Sequence, residues 1–321
     1  MTWAFRVDTN KNAGGGHTYR SICLANQINK HKSVVFLVNC KNDKLSTKIT
    51  DSGYKVDVVD NFDQYNFYGC IFDGYKFEKN EISFMRTKIQ KLVQIYDFGT
   101  IYDEADLIIS SNTNSLLRNY KKRKKIGLEF TLIKPEFKNK NRIINKTVKN
   151  IFISFGLSDS KNLTLKVLEI IKDSKLDLRF ETIYLAINSN SKFIDRIYKI
   201  KEKMVCNLIV REFGTELNEI LKKSDLSIGS GGVGMCERLC SGIPSVVIVT
   251  SENQEEIVEK VNKEKAIIKC SSLGRFDKNM FLKSLINILD NFHQRKLMSE
   301  LSRKIIDGNG SIRVSKEIIT L

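Results

Sequence analysis

The chain has 321 residues, 41% of them hydrophobic, a length that predicts about two domains of roughly 100–200 residues, each able to bury its own core. No run of about 18 uncharged apolar residues occurs, and the first apolar run, residues 3–7, contains Arg6, so neither a membrane span nor a signal peptide is expected. The net charge of +16 would favour a polyanionic partner, but the lysines and arginines are spread along the chain.

Short β-branched runs alternate with helix-period segments through both halves of the chain, a pattern typical of parallel sheets covered by helices. The sequence therefore predicts an α/β fold with two doubly wound domains. The strands predicted for the first half are residues 3–7, 33–38, 55–59, 69–72, 92–96 and 107–110. Those predicted for the second half are residues 150–155, 182–187, 207–211, 226–229, 245–250 and 266–270.

A polar segment, residues 135–149, separates the two halves. It is rich in Lys, Arg and Asn and shows little apolar periodicity, which is typical of an interdomain linker. We place the boundary near residue 145, so that the predicted domains are residues 1–145 and 146–321. Residues 281–301 are predicted to form one helix, and the tail, 311–321, a further helix that packs back across the cleft between the domains.

The first predicted strand ends at Asp8 and leads through three glycines, residues 14–16, to His17 at the start of a helix. The glycines allow close approach of a ligand, and a helix N-terminus offers N–H groups and partial positive charge to a phosphate or a sugar. The same dipole disfavours an imidazolium, so His17 is expected to remain neutral and able to accept a proton. A histidine that only hydrogen-bonds neighbouring backbone is the alternative. His31 and His293 are predicted to lie on the surface.

A second glycine loop, residues 230–234, follows the predicted strand 226–229 and precedes a helix that carries Glu237. Its amides can hold a diphosphate, and Glu237 is placed to accept a bidentate hydrogen bond from a ribose diol. The alternative is that Glu237 only complements the helix dipole. Gly242 is expected to end this helix in a left-handed conformation, and residues 252–254 to lie at the carboxyl edge of the sheet, where open α/β folds bind ligands.

Motifs of other nucleotide and metal chemistries are missing from the sequence. The glycines lack the G-x-G-x-x-G spacing of NAD-binding domains, and no G-x-x-x-x-G-K-[ST] occurs. No Asp-x-Asp pair is present to hold a divalent metal on a sugar diphosphate, so we expect neither a metal nor a cofactor. The seven cysteines are scattered, and we predict reduced, buried thiols in a cytoplasmic protein rather than zinc ligands.

Together these residues resemble a known family, the UDP-2,4-diacetamido-2,4,6-trideoxy-β-L-altropyranose hydrolases of pseudaminic acid biosynthesis. Residues 5–8 (Phe-Arg-Val-Asp), the glycines before His17, Arg20 and residues 24–25 (Leu-Ala) resemble that family's R-x-D, G-x-G-H, x-x-R and L-A. Residues 237–244 (Glu-Arg-Leu-Cys-Ser-Gly-Ile-Pro), followed by residues 253–254 (Asn-Gln), resemble its nucleotide-binding stretch, which is shared in outline with the glycosyltransferase that makes lipid II.

Weaker points of resemblance are residues 73–75 (Asp-Gly-Tyr), similar to a D-x-Y at a strand end, and Asp159 with Asn162, similar to a G-G-x-D-x-x-N loop. The sequence departs from the family at Leu157, at residues 97–98 (Asp-Phe in place of Asp-Asp) and at residues 127–130 (Gly-Leu-Glu-Phe in place of Gly-Pro-x-aromatic). These departures concern the sugar preference more than the nucleotide site.

The resemblance implies a GT-B architecture, two doubly wound Rossmann-like domains facing across a cleft, with a sugar-binding and catalytic domain (1–145) and a UDP-binding domain (146–321). It implies metal-independent hydrolysis of a UDP-linked 2,4-diacetamido-2,4,6-trideoxy sugar, with water attacking the anomeric carbon, inversion there and release of UDP. The implied catalytic residue is His17. The implied substrate-binding residues are Arg6, Asp8, Gly14, Gly15, Gly16, Arg20, Asp73, Tyr75, Gly156, Asp159, Asn162, Ser230, Gly231, Gly232, Glu237, Asn253 and Gln254.

Two rival functions stay open at this point. A metal-independent UDP-sugar glycosyltransferase of the same fold would replace water by an acceptor hydroxyl, and an exposed apolar or basic surface beside the N-terminal site would favour it. A module that binds anions or nucleic acid would rest on residues 121–125 (Lys-Lys-Arg-Lys-Lys), which lack interleaved aromatics and are predicted to be a solvated loop face. We expect a monomer whose partner is a small nucleotide sugar and not nucleic acid.

Overall fold

The computed structural model describes residues 1–9, 15–41, 43–75, 77–112, 117, 119–214 and 216–321. Gly14, one of the predicted substrate-binding residues, lies outside the described residues. The chain forms two compact units, the first made of Met1–Pro135 and Gly308–Leu321 and the second of Glu136–Asp307. None of the helices within the described ranges is long and apolar enough to cross a membrane.

Within the described residues, the first unit is built on a parallel seven-stranded sheet of order β3-β2-β1-β4-β5-β6-β7. Its strands are β1 (Thr2–Val7), β2 (Ser33–Val38), β3 (Lys55–Val58), β4 (Phe67–Asp73), β5 (Lys91–Ile95), β6 (Leu107–Ser110) and β7 (Lys124–Ile126). The helices between them are α1 (Gly16–Ile28), α2 (Lys44–Asp51) and α3 (Lys79–Lys88).

Central strand β1 is buried on both faces, which explains why its residues are apolar apart from Thr2 and Arg6. On one face Phe5 and Val7 pack in a core with Leu24 of α1. On the other face Ala4 packs in a second core with Phe72 of β4. Each fully buried Phe or Leu contributes about 1.5–3 kcal/mol, so these two layers hold β1 and its neighbours in a rigid sheet.

The second unit, over the described residues, contains a parallel six-stranded sheet of order β10-β9-β8-β11-β12-β13. Its strands are β8 (Asn150–Ser154), β9 (Thr182–Ile187), β10 (Asn207–Glu212), β11 (Leu226–Ser230), β12 (Ser245–Ile248) and β13 (Ile268–Ser271). Its helices are α4 (Leu163–Asp173), α5 (Ile194–Lys201), α6 (Leu217–Lys223), α7 (Val233–Cys240), α8 (Glu252–Lys263), α9 (Lys278–Asp290) and α10 (Phe292–Ile305).

The predicted α/β class with two doubly wound sheets is confirmed, and each predicted strand is present with its ends shifted by at most two residues. The single helix predicted for residues 281–301 was wrong. Asn291 breaks it into α9 and α10, and its side chain accepts a hydrogen bond from the N–H of Gln294 at 2.9 Å. An asparagine at this position caps the second helix, and that local bond outweighs continuation of the first.

Part of the basic run at 121–125 was also predicted incorrectly, because Lys124 and Lys125 lie in edge strand β7 rather than in a loop. Lysines on an edge strand discourage pairing with another chain. Arg123 and Lys125 form ion pairs with Glu317 at 2.7 and 2.8 Å. Lys124 donates to two backbone carbonyls of the preceding segment. Much of this charge is therefore met inside the first unit, which weakens the nucleic-acid alternative.

The last helix, α11 (Gly310–Ile319), belongs to the first unit, where Val314 and Ile318 join the core that contains α1. Segment 136–148 belongs to the second unit. Arg142 donates to the carbonyl of Leu221 at 2.6 Å, and Arg295 donates to the carbonyl of Asn145 at 3.1 Å. The division between the units therefore falls at 135–136, ahead of the boundary placed near residue 145.

The structure also tests the predictions made for the histidines, the cysteines and Gly242. His31 and His293 are exposed, as predicted. All seven cysteines are free thiols in the structure. The predicted burial is confirmed for six of them and is wrong for Cys40, which is exposed. Gly242 ends α7 with a φ of +70°, and the N–H of Ile243 donates to the carbonyl of Arg238 at 3.1 Å, so the predicted left-handed cap is confirmed.

Candidate functional site

Four strands of the first sheet end side by side and bring polar residues to one edge. In the register of the sheet, Val7 lies beside Asp73, Asp73 beside Ile95, and Ile95 beside Ile109. The residues that follow these strand ends include Asp8 after β1 and Asn112 after β6, both buried. Carboxyl ends of parallel strands are where open α/β sheets bind ligands, and α1 begins at this same edge.

His17 lies in the first turn of α1 and is held by a carboxylate from β4. Its side chain is 2% exposed, and its Nδ1 lies 2.7 Å from Oδ1 of Asp73, which is fully buried. Arg20, one turn further along α1, donates to both oxygens of Asp73, from Nε to Oδ2 at 2.7 Å and from Nη2 to Oδ1. The hydroxyl of Ser21 donates to Oδ2 at 3.0 Å. Asp73 thus accepts hydrogen bonds from three side chains of one helix.

The ionisation of Asp73 decides which nitrogen of His17 carries the proton. Burial by itself would raise the pKa of the Asp73 carboxyl, but Arg20 and His17 outweigh it and hold this pKa well below its usual range. Nη2 of Arg20 lies 3.0 Å from Nδ1 of His17, but this group also donates to Asp73, and an ionised carboxylate only accepts hydrogen bonds. The contact with Asp73 therefore favours a proton on Nδ1, which leaves Nε2 with its lone pair. Nε2 is buried and has no hydrogen-bond partner among the residues described. In this tautomer, Nε2 is the ring nitrogen that can accept a hydrogen bond.

Arg20 connects this pair to the next strand. Its Nη1 donates to Oδ2 of Asp97, and the Asn112 amide nitrogen donates to the carbonyl of Asp97 at 3.0 Å. Burial lowers the pKa of Arg20, but Asp73 and Asp97 raise it more, so the guanidinium stays charged. Asp97 and Asn112 were not predicted as site residues. Each follows a correctly predicted strand, as Asp8 and Asp73 do.

Tyr75 completes the surroundings of His17. The two ring centroids are 4.3 Å apart in an edge-to-face arrangement with an interplanar angle of 77°. Burial raises the pKa of Tyr75 above its ordinary value of about 10, so its hydroxyl stays protonated and can donate a hydrogen bond. Gly74 allows the chain to come close here, because a Cβ at Gly74 would lie 2.8 Å from the Cβ of Asp8.

Arg6 is placed differently from the other predicted residues of this unit. Its Nε donates to Glu81 of α3 at 2.6 Å, and its Nη1 donates to the side-chain oxygen of Asn39 at 3.0 Å. Its guanidinium also lies 5.0 Å from the ring centroid of Phe77. These contacts give Arg6 a structural explanation, in which it links β1 to α3 and to the end of β2.

In the second unit, the loop after β11 is tied to the loop after β12 by one side chain. The Oε1 atom of Gln254 accepts from the N–H of Gly231 at 3.1 Å and from the N–H and hydroxyl of Thr250, each at 3.0 Å. Beside it, the amide oxygen of Asn253 accepts from the hydroxyl of Ser251 at 2.6 Å. These contacts fix the backbone of the loop that leads into α7. Glu237, which lies in this helix, is half-buried.

The glycines of this loop are not equivalent, which leads to a stability prediction. A Cβ on Gly231 would overlap Cγ2 of Val258 in α8, whereas the nearest atom to a Cβ on Gly232 is Nε2 of Gln254 at 3.7 Å. We expect Gly231→Ala to lower the free energy of unfolding by about 1–3 kcal/mol, the usual cost of overpacking. Gly232→Ala, the matched control, should change it by less than about 0.5 kcal/mol. Equal effects in denaturant titrations would contradict this assignment.

A third loop follows β8, whose Ser154 pairs with Gly229 of β11, so the loops after these strands are neighbours. Gly156 has a φ of +86°, which favours glycine. The carboxylate of Asp159 accepts from the N–H groups of Leu163 and Thr164 at 2.9 and 3.0 Å, and so caps α4. Burial raises the pKa of Asp159.

The polar side chains of this third loop, Asp159 and Asn162, differ in whether their oxygens already accept hydrogen bonds within the protein. The bonds to the first turn of α4 account for both oxygens of Asp159. The buried amide oxygen of Asn162 has no partner among the described residues. Across the described ranges, no group of three or more His, Cys, Asp or Glu residues is arranged to hold a metal ion.

Comparison of the sequence with known proteins finds relatives at low identity. No protein-family model matches the chain. It is 27% identical over 280 residues to the uncharacterized protein MJ1062 of Methanocaldococcus jannaschii, covering 80% of this chain and 57% of that protein. It is 22% identical over 191 residues to the spore coat polysaccharide biosynthesis protein SpsG of Bacillus subtilis, covering 59% of this chain and 56% of that protein. The chain thus spans little more than half the length of these relatives.

Solved structures match nearly the whole chain at low identity. MurG of Acinetobacter baumannii is similar with a TM-score of 0.65 and 12% identity, over 100% of both chains. MnaA of S. aureus, determined with UDP, has a TM-score of 0.70 and 11% identity, over 99% of this chain and 96% of that one. HepE of Anabaena, in complex with UDP, has a TM-score of 0.64 and 12% identity, over 100% of both. The fold is the α/β GT-B fold that the resemblance implied.

Proposed function

We propose that this protein is a metal-independent, inverting UDP-sugar hydrolase that releases UDP from a UDP-linked 2,4-diacetamido-2,4,6-trideoxy sugar in nonulosonic (pseudaminic) acid biosynthesis. The observation that carries the proposal is the pairing of His17 with Asp73, which leaves Nε2 of the imidazole as a proton acceptor at the ligand-binding edge of the sheet. Similarity to a polysaccharide biosynthesis protein and to structures that contain UDP supports a UDP-sugar substrate.

In the proposed reaction, Nε2 of His17 takes a proton from water while the water oxygen attacks the anomeric carbon. The bond from that carbon to the β-phosphate oxygen breaks, and UDP leaves with the electron pair. Attack from the side opposite to UDP inverts the anomeric centre. Asp73 orients the ring and stabilises the imidazolium as it forms, and Arg20 keeps Asp73 ionised. UDP is a good leaving group, so the reaction requires no separate strong acid.

The remaining side chains of the first unit are proposed to position the sugar. Tyr75 keeps its hydroxyl proton and donates to a sugar oxygen. Asp8, at the end of β1, accepts from a sugar hydroxyl or amide. The glycines that precede His17 in the sequence, Gly14 to Gly16, are proposed to let the sugar approach the backbone. In the second unit, the loop after β8 with Asn162, the amides of Ser230 to Gly232, and Asn253 are proposed to hold UDP.

Glu237 is proposed to accept hydrogen bonds from the ribose diol, and its removal tests the nucleotide site. We expect Glu237→Ala to weaken UDP binding by about 1.5–3 kcal/mol, the range for a hydrogen bond to a charged group, as measured by titration calorimetry. Glu219→Ala is the matched control, because Glu219 is an exposed glutamate of the same unit whose partner is Lys222. If Glu237→Ala binds UDP as tightly as the parent, the ribose assignment is wrong.

A glycosyltransferase is the second candidate, and one observation favours it. Phe98, directly after Asp97 at the ligand-binding edge, is 47% exposed and offers an apolar surface to an acceptor. His17 would then deprotonate the acceptor hydroxyl instead of water.

Product analysis separates the two candidates. The protein is incubated with candidate UDP-sugars, and free UDP and the first sugar anomer are followed by NMR. UDP and an inverted reducing sugar formed in buffer alone support the hydrolase. UDP that appears only after an acceptor alcohol is added supports the transferase.

A further inference from the structure

Arg238 lies buried beneath the glycine loop of the second unit. Its side chain is 2% exposed, and its Nη2 donates to the carbonyl of Ser230 at 2.7 Å. Its Nη1 would lie 3.0 Å from a Cβ on Gly229 and 3.6 Å from a Cβ on Gly234. The guanidinium therefore touches the strand end, the loop and the first turn of α7. Its Nε is buried and has no hydrogen-bond partner in the described parts of the chain.

In the described part of the chain, no carboxylate forms an ion pair with this arginine. Burial lowers the pKa of Arg238 to about 10, against an opposing effect of Glu237, so the group remains a cation at neutral pH. Its hydrogen bond goes to a backbone carbonyl, and the neighbouring carboxylate of Glu237 offsets the effect of burial only in part. Arg20 in the first unit, by contrast, pairs with Asp73 and Asp97. A buried cation without a counter-ion is costly, and an anion bound at the loop would offset that cost.

Arg295 is a second buried arginine of this unit, and its contacts give it a purely structural role. It is 1% exposed and donates to four backbone carbonyls, those of Ile288, Leu289, Asn145 and Lys146. Two of these carbonyls belong to the last turn of α9, the negative end of its dipole. Arg238 belongs to the last turn of α7, but its guanidinium reaches back to the carbonyl of Ser230 ahead of that helix, so its charge lies at the positive end of the helix dipole.

We propose that Arg238 is a positioning residue for a diphosphate group: through the carbonyl of Ser230 it holds the loop amides toward the ligand, and its charge makes the site select nucleoside diphosphates over nucleosides. This inference rests on the proposed function, since it concerns the same UDP site. It is distinct from the Glu237 assignment, which concerns the ribose. The diphosphate supplies negative charge that complements this buried guanidinium.

The test is the ratio of the affinities for UDP and uridine, measured by titration calorimetry on Arg238→Met, Arg238→Lys and the control Arg295→Met. We expect Arg238→Met to weaken UDP binding about tenfold or more and uridine binding by less than about twofold, because uridine lacks the charge on which Arg238 acts. Arg238→Lys keeps the charge and should hold the ratio within about threefold of the parent. Arg295→Met should leave the ratio unchanged.

Equal losses of UDP and uridine affinity in Arg238→Met would overturn the proposal, as would a lysine variant whose ratio falls as far as that of the methionine variant. If the methionine variant does not fold, Arg238→Gln allows the same comparison. The outcome is separable from the proposed function. A parent protein that does not bind UDP contradicts the proposed function itself. A parent that binds and cleaves UDP-sugar, with an unchanged ratio in the variants, contradicts only the role of Arg238.

Discussion

His17→Asn is expected to lower turnover by about 10²–10⁴-fold, the usual contribution of positioned proton transfer, while the UDP affinity and the fold are retained. Asparagine keeps a polar group of similar reach whose amide can donate to Asp73, but it takes up no proton at neutral pH. The comparison therefore separates positioning from base chemistry. Steady-state rates of UDP release give the loss in turnover, and calorimetry with UDP shows that the nucleotide site is intact.

A control variant completes this test. His31→Asn is the control, because His31 is an exposed histidine and its replacement should leave the rate unchanged. If His17→Asn keeps more than about a tenth of the parental rate, His17 is a structural residue and Asp8 becomes the first candidate for the base.

Asp73→Asn is expected to have the second large effect, on both turnover and stability. Asparagine can present its NH₂ group to Nδ1 of His17, which would move the ring proton to Nε2 and remove the base, so turnover should fall by a factor similar to that of His17→Asn. The double variant should be no slower than the slower single variant, because the two residues act as one unit. Losses that multiply in the double variant would show that Asp73 acts independently of His17.

The stability effect of Asp73→Asn follows from its buried contacts with Arg20. Removing one partner of a buried ion pair typically costs about 3–5 kcal/mol, and denaturant titration at neutral pH should show a loss of that order. Asp57 is a carboxylate away from His17, so Asp57→Asn is a matched control. Hydrogen bonds from Lys41 and Tyr65 hold the pKa of the Asp57 carboxyl below its usual range. It should reduce stability while leaving turnover unchanged.

The pH dependence of stability gives an independent readout of Asp73. The pKa of this carboxyl is lower in the folded protein than the unfolded value of about 3.9. Its stabilising contribution is therefore fully present above that value and is lost as the pH falls through the folded pKa. The parent should lose more stability between pH 5 and pH 2 than Asp73→Asn does. Equal losses would show that Asp73 is not held ionised by Arg20 and His17.

The sequence alone was sufficient for the fold class and for the positions of most strands. Buried parallel strands must be apolar on both faces, so runs such as those of β1, β8 and β12 stand out from the helices between them. β7 was missed because an edge strand is exposed and short, and here it carries Lys124 and Lys125 instead of an apolar run. Local chemistry also predicted the left-handed end of α7 at Gly242, because only glycine adopts that conformation without strain.

The sequence by itself determined two glycine loops, each followed by a helix, with His17 and Glu237 as the residues of interest, because these signals lie within a few residues along the chain. Only the tertiary structure decided what His17 touches. Its partner Asp73 is 56 residues away, and Arg20 reaches Asp97 across 77 residues. These contacts exist because β1, β4 and β5 are neighbours in the sheet, and hydrophobic periodicity specifies strands but not which strands lie side by side.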